Sequence, residues 1–188
     1  MNTRLVGSEM CIRDSFKALA SPSFKSFSTF FGLLIKSKYF SLAGAISALI
    51  NLNKDNVTGL VADFMDDSQV KTLTENIPND IDILVNNVGI FRGKDFNDET
   101  VEDWNDHFKV NLMSGVQLSK HFLPLMIKRN WGRIIFISSE CATLVPSDLL
   151  SYSVSKASIN VYSSGLAKLT KGTNVTVNTI VPGSTLSE

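Results

Sequence analysis

Residues 134–139 read IIFISS, and residues 151–157 read SYSVSKA. The first stretch is a short β-branched and aromatic run that ends in two serines, and such a run is typical of a buried strand. The second stretch predicts the start of a helix, with Ser151 as its N-cap. On that helix Tyr152 and Lys156 are four residues apart, so they share one face.

A hydroxyl, a phenol and an ammonium are expected to meet at one crevice. In an open α/β sheet, ligands bind beyond the carboxyl ends of the strands. A phenol has a pKa near ~10 and is a poor acid at neutral pH, but a nearby ammonium favours the phenolate. Tyr152 is therefore a candidate acid–base group, and Ser139 is a candidate hydrogen-bond partner of the same substrate oxygen. On the spacing alone, a solvated Tyr–Lys pair is the ordinary alternative.

Three further motifs accompany this pair. Residues 81–89 read IDILVNNVG, which predicts a strand that ends in an Asn-Asn-x-Gly turn. Residues 110–112 read VNL and open a long helix, and residues 181–183 read VPG after a later strand. In this order and spacing, the whole set resembles the short-chain dehydrogenase/reductase family, in the single-domain branch that includes the 3-oxoacyl-carrier-protein reductases. The resemblance covers roughly residues 59–183.

The resemblance implies an α/β fold with a doubly wound, mostly parallel sheet of the Rossmann type. Alternating strand and helix signals favour the same class independently. The implied activity is hydride transfer between NAD or NADP and an alcohol/carbonyl pair, in a homodimer or homotetramer. The catalytic positions of the family fall on Asn111, Ser139, Tyr152 and Lys156. The implied cofactor-binding positions are Asp63, Asn87, Gly89, Tyr152, Lys156, Pro182, Gly183 and Thr185.

The family also implies a role for each group. Tyr152 is the acid–base, and Lys156 lowers its pKa and holds the nicotinamide ribose. Asn111 distorts its helix and binds a water that links Lys156 to solvent as a proton relay; a helix N-cap is the alternative. Asp63 contacts the adenine edge, or else caps the helix that begins near Asp67.

The N-terminal part departs from the family pattern. A Thr-Gly-x-x-x-Gly-x-Gly turn is expected there, since its glycines let the backbone approach a pyrophosphate, but Gly7 and Gly32 are the only glycines before position 40. We therefore expect residues 1–38 to be atypical or unrelated and residues 39–188 to be a partial domain. Three explanations of residues 1–38 stay open. They are a truncated or misassembled reading frame or an expression scar, a targeting segment, and a diverged native N-terminus.

The resemblance also implies a substrate-covering segment and a last strand beyond Glu188, and we expect both to be missing here. Because the family's first strand and glycine-rich turn are not recognisable in the N-terminal part, we expect weak cofactor binding and poor turnover. The choice between NAD and NADP and the identity of the substrate stay open.

Hydrophobic periodicity predicts the remaining elements. Helices are expected at residues 41–53, 70–77, 100–108, 111–129 and 151–169, and further strands at residues 57–64 and 174–181. Val101, Trp104 and Phe108 are expected to face inward. Residues 141–150 are interpreted as an apolar loop at the substrate mouth. Glu140 is expected to point to solvent, and the alternative is that it shapes this mouth.

Composition excludes several classes of function. The chain has 18 basic and 18 acidic residues and no net charge, so nothing steers it to nucleic acid or to an anionic membrane. Cys11 and Cys141 are read as free thiols in a reducing, cytoplasmic compartment. His107 and His121 lack companions for a metal site. The apolar stretch at residues 39–53 is too short to span a bilayer.

Two other functions remain alternatives. The first is a non-catalytic or inactive fragment of the same fold, acting as a nucleotide-binding or interaction module. The second is a sugar epimerase/dehydratase, which also uses Tyr-x-x-x-Lys; the Asn-Asn-x-Gly turn weighs against it.

Overall fold

A parallel sheet forms the centre of the molecule. A computed structural model of the chain describes Leu60 and residues 62–183. Three strands, β1 (Ile83–Asn86), β2 (Gly132–Ile137) and β3 (Val175–Ile180), lie in the order β1-β2-β3. Both pairs are parallel. The α/β class and the strands expected near residues 81–85 and 174–181 are confirmed.

Helical segments connect the strands, as in a doubly wound fold. They are α1 (Asp67–Asn76), α2 (Val101–His107), a π-helical segment (Phe108–Met113), α3 (Ser114–Lys128), α4 (Cys141–Leu144) and α5 (Leu150–Leu169). Helix α3 packs on β1 and β2, and α5 packs on β3, on α2 and on the π-helical segment. The end of α5 is followed by Gly172, whose positive φ of 84° suits a residue without a side chain.

The main hydrophobic core lies between the sheet and helices α3 and α5. Its centre contains Leu118 and Phe122 of α3, Phe136 of β2 and Ile159 of α5, all nearly or fully buried. Alternate residues of β2 point to opposite faces, so Ile137 belongs to a smaller cluster with residues of β1 on the other face. The core therefore fixes α5, and with it the Tyr-x-x-x-Lys face, against the sheet.

Several predictions fall outside the described residues. These are the helix at residues 41–53, most of the strand at residues 57–64, the boundary between residues 1–38 and 39–188, and Thr185. No strand includes Leu60 or residues 62–64 in the described part of the chain. Among the helices that the structure describes, none is long and apolar enough to cross a membrane.

The start of α1 decides between two interpretations of Asp63. Asp66 is the N-cap, and its carboxylate accepts hydrogen bonds from the backbone N–H groups of Ser68 and Gln69. Asp63 instead accepts a hydrogen bond from the backbone N–H of Met65 at 2.9 Å. The interpretation of Asp63 as the cap of this helix was therefore wrong.

The start of α2 corrects the inward face expected for this helix. Thr100 and Asp103 form a capping box, in which each side chain accepts a hydrogen bond from the other residue's backbone N–H. This geometry turns Asp103 inward, where Lys94 and Thr100 bind its carboxylate. Val101 consequently faces solvent and is 77% exposed, so its predicted inward position was wrong. His107 takes a buried position on this helix instead.

Two predicted helix starts were also wrong. Helix α3 does not begin at Asn111, because α2, the π-helical segment and α3 follow one another without a break. Helix α5 begins at Leu150, and its N-cap is Leu149 rather than Ser151. The side chain of Ser151 is engaged elsewhere, in a hydrogen bond to His107.

Candidate active site

The carboxyl ends of the three strands converge on one edge of the sheet. After β2, the backbone N–H of Ser138 donates to the carbonyl of Ile180 at 2.9 Å. The N–H of Glu140 donates to the carbonyl of Pro182, also at 2.9 Å. The segments after β2 and β3 are thus tied together where a parallel sheet is expected to bind a ligand.

Lys156 is buried at this edge. Its side chain is on α5, the residue is only 5% exposed, and Nζ donates to the carbonyl oxygen of Ile137 at 2.9 Å. The hydroxyl of Ser138 donates in turn to the carbonyl of Lys156 at 2.9 Å. Nζ lies 5.8 Å from the centroid of the Tyr152 ring. Because Lys156 is buried, the alternative of a solvated Tyr–Lys pair is excluded. Burying an ammonium is costly unless it is hydrogen-bonded, and the bond to Ile137 offsets part of this cost.

Asn111 lies inside the π-helical segment, so the expected distortion of the helix is present and the N-cap alternative was wrong. Its Oδ1 accepts a hydrogen bond from the N–H of Ile90 at 2.7 Å, and Nδ2 donates to the carbonyl of Ile90 at 3.1 Å. Nδ2 also donates to Oγ of Ser155 at 2.9 Å. Single π turns occur often at functional sites. Here the turn lets one amide join the loop after β1 to α5.

Gly89 approaches both of these groups. A Cβ added to Gly89 would lie 3.3 Å from Oδ1 of Asn111 and 3.4 Å from Nζ of Lys156. This close approach explains why the turn after β1 carries a glycine. Asn87, in the same turn, is half-buried.

Tyr152 lies in the first turn of α5, and its ring contacts two other rings. The ring of Phe91 meets it edge-on, with centroids 4.9 Å apart and an interplanar angle of 80°. His107 approaches with centroids 6.0 Å apart and an angle of 69°. Edge-to-face geometry of this kind is favourable for aromatic pairs. Neither Phe91 nor His107 was predicted to belong to the site.

Ser139 follows β2 directly and is half-buried. Its Oγ accepts a hydrogen bond from the N–H of Cys141 at 3.2 Å, which opens the short helix α4. The segment predicted as an irregular loop thus contains a helical turn, and it then passes through Val145 at a φ of 45°. Leu144 and Val145 are exposed, as expected for an apolar mouth, whereas Leu149 is buried.

Of the remaining predicted cofactor positions, two lie at the converging edge of the sheet and Asp63 lies before α1. Pro182 is half-buried and Gly183 exposed, and both follow β3 at the converging edge. Oε2 of Glu140 lies 3.0 Å from the position that a Cβ on Gly183 would take. Asp63 precedes α1, where its backbone N–H donates to the side chain of Gln69 at 3.0 Å.

Two ionisable groups of α2, His107 and Asp103, have shifted pKa values. Burial lowers the pKa of His107 below its ordinary value, the charge of Arg92 acts in the same direction, and Glu99 and Asp103 oppose them. The ammonium of Lys94 and the hydrogen bonds from Thr100 hold the pKa of Asp103 far below its usual range. His107 is therefore neutral and Asp103 ionised at neutral pH. In the described part of the chain, no group of three His, Cys, Asp or Glu residues could hold a metal ion.

The family model for short chain dehydrogenases matches residues 33–188. The chain belongs to the short chain dehydrogenase family. An uncharacterised oxidoreductase of Bacillus subtilis (strain 168), YvrD, is 46% identical over 134 residues, which are 70% of this chain and 51% of that protein. The 3-oxoacyl-[acyl-carrier-protein] reductase FabG of Haemophilus influenzae is 39% identical over 144 residues, which are 75% of this chain and 58% of that reductase. The chain thus spans little more than half the length of these curated relatives.

Solved structures that are similar to this short chain dehydrogenase have the same fold. The closed form of serine dehydrogenase, complexed with NADP+, superposes with a TM-score of 0.73 at 25% identity. The superposition covers 95% of this chain and 68% of that one. The Rossmann-like architecture expected from the order of the motifs is therefore confirmed.

The residues at the sheet edge fit the nicotinamide end of a dinucleotide. Lys156 supplies buried N–H donors of the kind that ribose hydroxyls accept, and Gly89 leaves backbone next to it without a side chain. Gly183, exposed and without a side chain, follows β3 at the same edge. The donor set thus matches the chemistry of that part of the cofactor.

Proposed function

We propose that this chain carries the catalytic centre of an NAD- or NADP-dependent oxidoreductase that interconverts an alcohol and a carbonyl. The observation that carries the proposal is the buried ammonium of Lys156, 5.8 Å from the ring of Tyr152. Oxidoreductases among the relatives and the NADP+ complex of serine dehydrogenase support the same reaction class.

Tyr152 is the acid–base in this proposal. A positive charge nearby favours the phenolate, so in this proposal the ammonium of Lys156 lowers the pKa of the Tyr152 phenol towards neutral pH. When an alcohol is oxidised, Tyr152 Oη accepts the hydroxyl proton, and it returns that proton when a carbonyl is reduced. Ser139 follows β2 at the same edge and donates a hydrogen bond to the reacting oxygen. Bound nicotinamide supplies the other half of the chemistry, by accepting or donating the hydride.

Asn111 supports the catalytic helix through hydrogen bonds. Its amide reaches Ser155, whose hydroxyl also donates to the carbonyl oxygen of Tyr152 at 2.7 Å. Asn111 is thereby linked to the backbone of the acid–base residue. The water-mediated proton relay implied by the family remains a prediction, and the contacts described here favour a positioning role.

The cofactor would be held along the sheet edge. Lys156 binds the nicotinamide ribose, and Asn87 and Gly89 border it. The backbone at Pro182 and Gly183, together with Thr185, binds the carboxamide, and Asp63 contacts the adenine. Assembly as a homodimer or homotetramer remains a prediction carried from the family.

The substrate mouth is apolar on one side. Phe91 is 46% exposed beside Tyr152, and Leu144 is 68% exposed on α4. These surfaces suit an alkyl or acyl chain next to a carbonyl. A small 3-oxo ester, ethyl acetoacetate, is a suitable first substrate because several relatives are named as 3-oxoacyl reductases.

A binding titration and one substitution test the proposal. NADH and NADPH are titrated into the purified chain and followed by nicotinamide fluorescence, and turnover with ethyl acetoacetate is then followed by loss of the reduced cofactor. Tyr152→Phe should abolish turnover and leave the dissociation constant within about twofold, because only the transferable proton is lost. Tyr162→Phe is the matched control, since Tyr162 packs against Phe136 in the core.

Three outcomes separate the alternatives. Turnover that survives Tyr152→Phe would contradict the assigned acid–base. Binding without turnover on any carbonyl in a broad panel would favour a nucleotide-binding module. Absence of binding to either cofactor would contradict the proposed function of this chain.

A further inference from the structure

His107 is a buried titratable group that the proposed chemistry does not use. It is the last residue of α2 and is 1% exposed. Its Nδ1 lies 2.8 Å from Oγ of Ser151. Its Nε2 is also buried, and no partner in the described part of the chain bonds it. A buried polar atom without a partner costs free energy, so the position of this imidazole calls for a physical reason.

The first turn of α5 depends on groups from outside the helix. The first N–H groups of any helix lack partners within it, and the N-cap Leu149 has no side-chain hydrogen bond to offer. The N–H of Ser151 donates instead to Oε1 of Glu99 at 3.1 Å. The hydroxyl of Ser151, which is fully buried, is bound by His107. The Glu99 contact satisfies one of the first N–H groups of α5, and the His107 contact anchors the side chain of the residue directly before Tyr152.

The imidazole also bounds the phenol directly. The ring of Tyr152 contacts the rings of Phe91 and His107, and both meet it at steep angles. A Tyr side chain has two rotatable bonds, so these two contacts, together with a fixed backbone, restrict the freedom of the ring. His107 contributes to both restraints, since it binds the preceding residue and contacts the ring.

Burial keeps the imidazole neutral, with Arg92 acting in the same direction and the carboxylates of Glu99 and Asp103 opposing it. Arg92 and Glu99 come from the segment between β1 and α2, Asp103 is one turn earlier on α2, and Tyr152 is on α5. Burial dominates, and it lowers the pKa of His107 below 6.5. At neutral pH the ring therefore has one N–H and one lone pair, and it can share a single proton with the hydroxyl of Ser151.

We propose that His107 is a positioning residue, which holds Tyr152 in register with Lys156 chiefly through its hydrogen bond to Ser151, with its ring contact as a smaller restraint. This inference rests on the proposed function for its catalytic meaning. Its physical content, a fixed phenol ring next to an ammonium, can be measured without turnover. His107 touches neither substrate nor cofactor in this assignment.

Matched variants separate the hydrogen bond from simple packing. His107→Phe keeps a ring at this position and removes the hydrogen bond to Ser151. His107→Asn keeps a hydrogen-bonding atom near the position of Nδ1 and removes the ring. Ser151→Ala removes the bond from the other side. If the bond positions Tyr152, then His107→Phe and Ser151→Ala should have equal effects that do not add in the double variant.

The first measurement is the phenol titration of Tyr152 by NMR in protein labelled at the tyrosine Cζ. The chain has three tyrosines, and Tyr152→Phe assigns the signal. In His107→Phe and Ser151→Ala, the titration midpoint of Tyr152 should rise by more than half a pH unit, because the ring drifts from Lys156. In His107→Asn, the titration midpoint of Tyr152 should stay close to its wild-type value. The signal of Tyr162, remote from the substitution, should stay in place.

Kinetics with NADPH and ethyl acetoacetate give the second measurement. In His107→Phe, kcat should fall by about tenfold, which corresponds to about 1.4 kcal/mol, whereas the dissociation constant for NADPH should stay within about twofold. An unchanged Tyr152 titration in His107→Phe would overturn the proposal, and so would equal losses in His107→Phe and His107→Asn. A wild-type chain without turnover whose Tyr152 titration still shifts would refute the proposed function and leave the positioning role intact.

Discussion

Replacing Asn111 by leucine tests the contact that joins the loop after β1 to the catalytic helix. The substitution keeps the approximate size of the side chain and removes all of its hydrogen bonds. The N–H and the carbonyl of Ile90 both lose their partner, whereas the hydroxyl of Ser155 loses the bond from Asn111 and keeps its bond to the carbonyl of Tyr152. Asn111 and Ile90 are each 3% exposed, so water has little access to replace these bonds.

The expected loss follows from the groups left unpaired. A buried backbone donor or acceptor without a partner costs about 1–3 kcal/mol, and two such groups are created at Ile90. Burial of the new leucine offsets a part of this, since an apolar side chain gains about 1.5–3 kcal/mol on leaving water. We expect Asn111→Leu to lower the free energy of unfolding by about 2–3 kcal/mol. Asn111→Asp should be intermediate, since its carboxylate can still accept from the N–H of Ile90.

Urea unfolding at neutral pH, followed by tryptophan fluorescence, measures the change. The chain has two tryptophans, Trp104 and Trp131, and both lie in the described part. Asn105→Leu is the matched control, because Asn105 is an exposed residue of α2 and the same substitution there should change the free energy by no more than about 0.5 kcal/mol. Equal effects at the two positions, or a loss at Asn111 below about 0.5 kcal/mol, would refute this reasoning.

Two further predictions concern stability. Gly115→Ala should destabilise the fold, because its Cβ would lie 2.7 Å from the buried ring of Phe136, whereas Gly165→Ala, with no atom within 4 Å of its Cβ, should stabilise α5 by about 0.5–1 kcal/mol; equal urea midpoints for the two variants would contradict this packing. Burial lowers the pKa of His107 below 6.5, so below that pH the unfolded chain takes up a proton that the native chain does not. The contribution of the neutral His107 to the free energy of unfolding is therefore fully present above pH 6.5 and is lost as the pH falls below it. The slope should not exceed about 1.4 kcal/mol per pH unit, and urea unfolding across this range should show no such contribution in His107→Phe.

Much of the fold follows from local pattern. The apolar runs at β1, β2 and β3 predict parallel strands, and the structure contains all three at nearly the expected positions. The spacing of Tyr152 and Lys156 predicts a shared helix face, which the short distance between ring and ammonium confirms. These features could be read early because each depends on residues that are close in sequence.

Other features could not be read from local pattern. The interpretation of Ser151 as an N-cap was reasonable for a serine before a helix, but its hydroxyl bonds a histidine 44 positions away. Val101 was expected to face inward on periodicity, but the capping box at Thr100 and Asp103 sets the orientation of α2 differently. The sequence offers only weak signals for the contacts of His107 and Asn111 with α5. His107 is four residues before Asn111, and Ser155 directly precedes Lys156.

The sequence by itself determined the family, the parallel order of the strands and the identity of the candidate acid–base pair. Short-range spacing is enough for these, because helix and strand periods place side chains on faces without reference to distant residues. Only the tertiary structure decided how Tyr152 is held. Asn111 and His107 reach α5 across the contact between α5 and the run of α2 and the π-helical segment, over separations of 44 residues. Such bonds depend on the packing of α5 on the sheet, because burial is what makes each unpaired polar group costly and so selects its partner.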